Sequence, residues 1–136
     1  MPDYIANYEI PHANAEFPLA MISPPARNFL NSSFVNLQSL RDIETEPVLE
    51  MHPEDAQARG IQDGDVIRVF NQRGTYHCKA QLNDRARPGV VNGLGIWWRK
   101  LGLNGTNVNE LTSQNLTDIG RAPFFYDCCV EVAMLK

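Results

Sequence analysis

The stretch VIRVFNQRGTYHCKAQL (residues 66–82) leaves the chain little choice but an antiparallel β-hairpin. TYHCKAQL alternates cleanly, with Tyr76, Cys78, Ala80 and Leu82 on one face and Thr75, His77, Lys79 and Gln81 on the other. A period of two marks a half-buried strand. VIRVF before it reads as the partner strand. NQRG between them supplies the Asn and Gly of a tight turn with a glycine bulge.

Further short apolar runs are spread along the chain. FPLAMIS (17–23) reads as a strand stopped by Pro24 and Pro25, and EPVLEMH (46–52) as another. RPGVVNGLGIWW (87–98) gives a turn and a strand, and FFYDCCVEVAML (124–135) a closing strand. Helical signals are brief. Pro53 suits the first position of a helix, Glu54 and Asp55 favour its positive end, and Gly60 fits the left-handed position just past its end. His52 is a mediocre cap. This helix is about two turns long and must be packed onto something. The spacing of Phe29, Phe34, Leu37 and Leu40 permits a helical turn late in 24–40. Within the loop-rich 100–120, Asn107 followed by Glu110 resembles a capping box. Short strands, small helices and many Gly and Asn turns indicate one domain, a closed or nearly closed β-barrel.

Charge is unevenly placed along the 136 residues. Residues 42–65 carry eight of the sixteen acids, whereas 66–126 carry eight bases against three acids. The basic second half suits an anionic ligand, and the bland alternative is scattered solvated charge. The overall net charge of −4 disfavours nucleic acid as a partner. No apolar run approaches the roughly 20 residues of a membrane span. Residues 1–16 lack the basic and apolar regions of a signal peptide and read as a polar arm or linker. Three cysteines without a framework of spacings point to free thiols in a reducing, cytoplasmic setting. Cys78 reads as an inert core thiol. Cys128 and Cys129 are expected to face opposite ways.

The chain carries no strong catalytic motif. There is no nucleophile elbow, phosphate-binding glycine loop or dinucleotide fingerprint, and no C-x-x-C or H-E-x-x-H metal pattern. Trp97 and Trp98 beside Arg99 and Lys100 suit either a stacking platform next to anion-binding groups or plain core aromatics. SPPARNFLNSSF (23–34) and NVNELTSQN (107–115) are dense in small polar side chains. Such groups suit purine edges, ribose hydroxyls and phosphates; the alternative is ordinary turn chemistry. Two such loops flanking an aromatic and basic strand end favour ligand binding.

PLAMISPPARNFLNSSF, HPEDAQARGIQDGDVIRVFNQRG, RPGVV, WW, VNELT, DIG and FYDCCVEV follow one another in an order that resembles the C-terminal molybdopterin-dinucleotide-binding domain of the dimethyl sulfoxide reductase superfamily. The similarity runs from about Phe17 to Val132 and looks nearest to the formate dehydrogenase-like and thiosulfate or polysulfide reductase-like anaerobic dehydrogenases. It implies a mainly β fold, a double-psi six-stranded β-barrel with short helices like that of aspartate decarboxylase. Residues 17–136 would be the barrel and 1–16 a linker from a preceding domain.

The resemblance also implies a function. The domain would hold the guanosine and diphosphate ends of molybdopterin guanine dinucleotide, with molybdenum or tungsten, in a larger oxidoreductase. Ser23, Asn28, Asn31, Ser32 and Ser33 would contact cofactor from the first loop. Trp97 or Trp98 would line it, Asn109 and Thr112 would meet pterin or phosphate, and Phe124 and Phe125 would close the pocket. SPPARNF departs from the Gly-Arg or His that many relatives place in the first loop. The redox-active ligands of the family lie in earlier domains, so this chain is expected to be a fragment of a parent enzyme, without a catalytic centre or bound cofactor of its own. The preceding domains would be its partners, and a periplasmic parent is the alternative to a cytoplasmic one. The competing reading is a stand-alone double-psi barrel serving as a small subunit or protein-interaction module. An autoprocessing decarboxylase needs a Gly-Ser pair, which the chain lacks.

Overall fold

In a computed structural model of the chain, residues 3, 9 and 15–135 are described. The linker expected over 1–16 therefore lies largely outside the described residues. Six strands form the core: β1 (Leu19–Ile22), β2 (Val48–Met51), β3 (Val66–Phe70), β4 (Thr75–Leu82), β5 (Val90–Leu94) and β6 (Cys128–Met134). They close in the order β1-β5-β2-β4-β3-β6. β1 runs parallel to β5, and β2 to β4; the other neighbours are antiparallel. This is the double-psi barrel expected from the sequence. Closure removes the free sheet edges that short apolar strands would otherwise expose.

The hairpin pairs as its pattern demands, with Ile67 opposite Cys78 and Val69 opposite Tyr76. Those four residues join Leu19, Met21, Leu49, Met51, Val91 and Val130 in the barrel interior. Burial pushes the Tyr76 hydroxyl and the Cys78 thiol well above their ordinary pKa ranges, so both stay neutral there. Cys128 also points inward. Cys128 and Cys129 were expected to face opposite ways, and Cys129 does lie outside the core cluster, yet it is equally buried. Glu9 lies against the strand there, its carboxylate accepting the Cys129 N–H at 2.7 Å.

α2 (Pro53–Gln57) starts at His52, whose Nδ1 accepts the Glu54 N–H at 3.3 Å. Gly60 follows with φ +67°. Ala56 is buried, Asp55 accepts the Gly89 N–H at 2.8 Å, and Arg59 forks onto Glu131 of β6. The helix is thus a brace at one barrel end. α1 (Gln38–Glu44) begins later and runs further than the apolar spacing suggests, and it buries none of its residues.

β5 is shorter than RPGVVNGLGIWW suggests, because Gly95 and the residues after it leave the barrel. The chain pairs there with the first loop, Ala26 N–H donating to the Gly95 carbonyl at 2.8 Å. β6 starts only at Cys128; residues 124–127 are not strand. The short helix foreseen in 100–120 is a single 3-10 turn, Val108–Glu110. Asn107 caps it, but Glu110 does not close the capping box and pairs instead with Arg99.

Candidate functional site at the loop-rich end of the barrel

Strand polarity decides where the loops go. The carboxyl ends of β1, β3 and β5 meet the amino ends of β2, β4 and β6 at one end of the barrel. The two longest connections open there, residues 23–47 and 95–127, together with the tight 71–74 turn. The opposite end holds α2 and the shorter connection 83–89. Every residue expected to contact cofactor therefore lies at the same end, although the chain separates them widely.

The first loop is held from three sides. Asn28 donates both its N–H and its side-chain amide to Glu44 Oε1, at 2.7 and 2.8 Å, so its side chain serves to tie the loop to α1. Leu30 and Ser33 pair with each other across Asn31 and Ser32, with Asn31 at φ +51°. The Ser33 N–H is spent in that pairing, whereas the side chains of Asn31, Ser32 and Ser33 remain exposed. The Ser32 carbonyl accepts the Trp98 indole N–H at 2.8 Å. Ser23 is half-buried at the end of β1.

The two tryptophans have different tasks. Trp97 is only 4% exposed and packs edge-on against Phe29, centroids 5.1 Å apart, in a second apolar cluster with Ala26 and Val35. It reaches a shallow cleft of about 430 Å³ beside α1, but otherwise acts as core. Trp98 is half-buried, and the Lys100 ammonium sits 5.0 Å from its ring centroid. Of the two readings the sequence left open, Trp97 takes the core one, and Trp98 with Lys100 forms an aromatic–cation pair nearer the surface.

The 108–112 turn plugs the barrel mouth. Val108 and Leu111 are buried, and a β-carbon on Gly93 would lie 3.1 Å from Val108, so glycine there leaves room for the plug. Asn109 is exposed on the outer side of the turn, and Thr112 donates its hydroxyl to the Asn109 carbonyl at 3.2 Å. Beyond it, Leu116 and Pro123 pair across a small loop, followed by half-buried Phe124 and exposed Phe125. Phe125 packs edge-on with Tyr126 at 4.6 Å.

Arg27, Lys100 and Arg121 are exposed in these loops and have no ion-pair partner among the described residues. Arg99 is spent on Glu110. Arg27 and Arg121 carry no motif and were not singled out by sequence; the excess of bases over 66–126 hinted at Arg121, and nothing hinted at Arg27. Among the described residues no group of three His, Cys, Asp or Glu side chains is placed to hold a metal. The donor set at this end, hydroxyls, amides, cations and one aromatic face, suits a nucleotide diphosphate.

A β-barrel that gathers long polar loops and exposed cations at one mouth defines a binding domain for an anionic, base-bearing ligand. The chain matches the sequence profile of the Molydopterin dinucleotide binding domain over residues 19–129 and belongs to that family. It is 40% identical over 89% of its length to a Halobacterium salinarum protein named as a "Putative dimethyl sulfoxide reductase" catalytic subunit and covers 14% of that protein. Dimethyl sulfoxide reductase DmsA of Escherichia coli is 32% identical over 79% of the chain, which covers 14% of DmsA. The dimethyl sulfoxide/trimethylamine N-oxide reductase of Cereibacter sphaeroides is 42% identical over 58% of the chain, which covers 10% of it. Acetylene hydratase from Pelobacter acetylenicus shares the fold: TM-score 0.84 at 20% identity, over 99% of this chain and 21% of that one.

Proposed function

We propose that the loop-rich end of the barrel receives the guanosine-diphosphate ends of molybdopterin guanine dinucleotide, as one domain of a larger molybdenum or tungsten oxidoreductase. The observation that carries this reading is the convergence of both polar loops, the Trp98–Lys100 pair and two further exposed cations, Arg27 and Arg121, on one barrel mouth of a family member. Asn31, Ser32, Ser33 and Asn109 offer side-chain donors and acceptors to the base and ribose. Arg27, Lys100 and Arg121 meet the diphosphate. Asn28 and Trp97 shape the site from behind rather than touching ligand. The cofactor supplies the redox chemistry, and this chain supplies binding and orientation.

The preceding domains of the parent enzyme are its partners in this reading, and the metal ligands come from them. The names of the relatives above favour a parent that reduces S-oxides or N-oxides. The formate dehydrogenase-like or thiosulfate reductase-like branch suggested by sequence resemblance draws no support from those names.

Titration of the 136-residue chain with GMP and GDP, followed by amide chemical shifts, tests the reading. Shifts confined to Ser23–Ser33, Trp97–Arg99 and Asn107–Thr112, stronger for GDP than for GMP, are expected. Shifts confined to the groove beside α2 (Pro53, Gln57, Ile61 and Leu82) would move the binding site to the opposite end and favour an interaction module.

A further inference from the structure

We infer that Arg73 is a positioning residue that couples Glu9 to the turn that carries Asn109 and Thr112. One guanidinium reaches both. Its Nε donates to the Leu111 carbonyl at 2.6 Å, and its Nη2 to the Glu9 carboxylate at 3.1 Å. Nη1 binds the other Glu9 oxygen, and Nη2 also reaches Cys128 Sγ at 3.7 Å. Glu9 is anchored a second time by the Cys129 N–H at 2.7 Å. The planar fork of an arginine suits this, because its donors are fixed relative to one another. Holding the carboxylate on one side sets the direction of Nε on the other.

Arg73 works beside other supports of the turn: Val108 and Leu111 are buried, Arg99 pairs with Glu110, and Cys128 Sγ donates to the Leu111 carbonyl at 3.2 Å. Asn71 Nδ2 donates to the same Leu111 carbonyl at 2.9 Å and to the Cys129 carbonyl at 3.1 Å. Gly74 packs directly on the Glu110 backbone. Both belong to the 71–74 hairpin turn, so a locally dictated β-turn doubles as the platform for the barrel plug. Without Glu9 the Arg73 side chain loses its main counter-charge, and burial then works against keeping it in place. The coupling is reciprocal: a ligand that orders the turn also favours the Glu9 contacts with Arg73 and Cys129. The role of the turn in ligand contact rests on the proposed function; the Glu9–Arg73–Leu111 linkage does not.

Amide hydrogen exchange on the full 136-residue chain tests it. Glu9→Ala is expected to raise exchange at Cys129 and, beyond it, at Glu110 and Leu111 by about tenfold, leaving Val69 and Ala80 in the barrel unchanged. Arg73→Lys is expected to keep Cys129 protected, because an ammonium can hold Glu9, yet to release the turn, because it cannot also hold Leu111. A Glu9→Ala chain that loses Cys129 protection while Glu110 and Leu111 stay unchanged overturns the coupling. Unchanged Cys129 protection overturns it too. GDP then separates the two ideas: if GDP leaves the wild-type turn unaffected while Glu9→Ala still loosens it, the linkage stands and the ligand role of the turn falls.

Discussion

Gly74 lies so close to Glu110 that a β-carbon at position 74 would sit 2.8 Å from the Glu110 carbonyl oxygen. The obstacle is backbone, which cannot swing aside as a side chain can. Gly74→Ala must push the 108–112 turn outward or distort the hairpin. A destabilisation of about 1–3 kcal/mol is expected. Thermal unfolding measures the loss. Weakened GDP binding should accompany it, because Asn109 rides on the displaced turn.

Glu50 is only 4% exposed, on the face of β2 turned away from the barrel interior. Its carboxylate accepts from Asn83 Nδ2 at 3.2 Å, Arg85 Nη1 at 2.9 Å and Asn92 Nδ2 at 3.1 Å. It thereby pins the 83–89 connection to β5. Glu50→Ala removes the acceptor and leaves two amide groups short of partners. A loss of about 2–3 kcal/mol in urea unfolding is expected. Glu50→Gln keeps one acceptor oxygen and should cost about half as much.

Burial pushes the Cys128 thiol up to about 11, and the nearby Arg73 charge offsets only part of that shift. The folded state therefore prefers the protonated thiol. Its contribution is complete below the unfolded value near 9 and is lost as the pH rises through about 11. A rise of that size corresponds to about 3 kcal/mol at most. Wild type should accordingly lose stability over this window faster than Cys128→Ala, as followed by urea midpoints at pH 8, 9.5 and 11. Native Cys78 and Cys128 should also resist iodoacetamide at neutral pH, and alkylation of either before unfolding would contradict their burial.

Arg27, Lys100 and Arg121 stand exposed at the loop-rich end. Neutralising any one to Gln should weaken GDP binding by up to about fivefold, and all three together by more, without lowering the unfolding temperature. The wild-type affinity should fall with added salt, and the triple variant should flatten that dependence. Equal effects on GMP and on an uncharged guanosine would place the cations away from the phosphates.

Elements set by neighbours in sequence were legible in advance. The β3–β4 hairpin follows from period-two alternation and a four-residue turn, and its bounds match the pattern residue for residue. The α2 brace follows from Pro53 and Gly60. Signals that depend on distant partners were not legible. Ile96–Trp98 is as apolar as a strand, but it leaves the barrel where Gly95 pairs with the first loop and Trp97 packs against Phe29. Glu110 has the spacing of a capping residue, yet the Arg99 guanidinium competes successfully for its carboxylate. Asn28 reads as a ligand-facing amide, and no local pattern encodes the hydrogen bonds that tie it to Glu44.

The sequence by itself determined the strands, the turns between near neighbours, the family and the pool of polar residues from which a site is built. These depend on side-chain alternation and on local backbone preferences, which act over a few residues. Only the tertiary structure decided that both polar loops share one mouth of the barrel, because that follows from strand polarity in a closed sheet. It also decided which cations meet no ion-pair partner among the described residues, and that Arg73 bridges Glu9 to Leu111. Such pairings join residues tens of positions apart, and no local pattern encodes which partner a charge will meet.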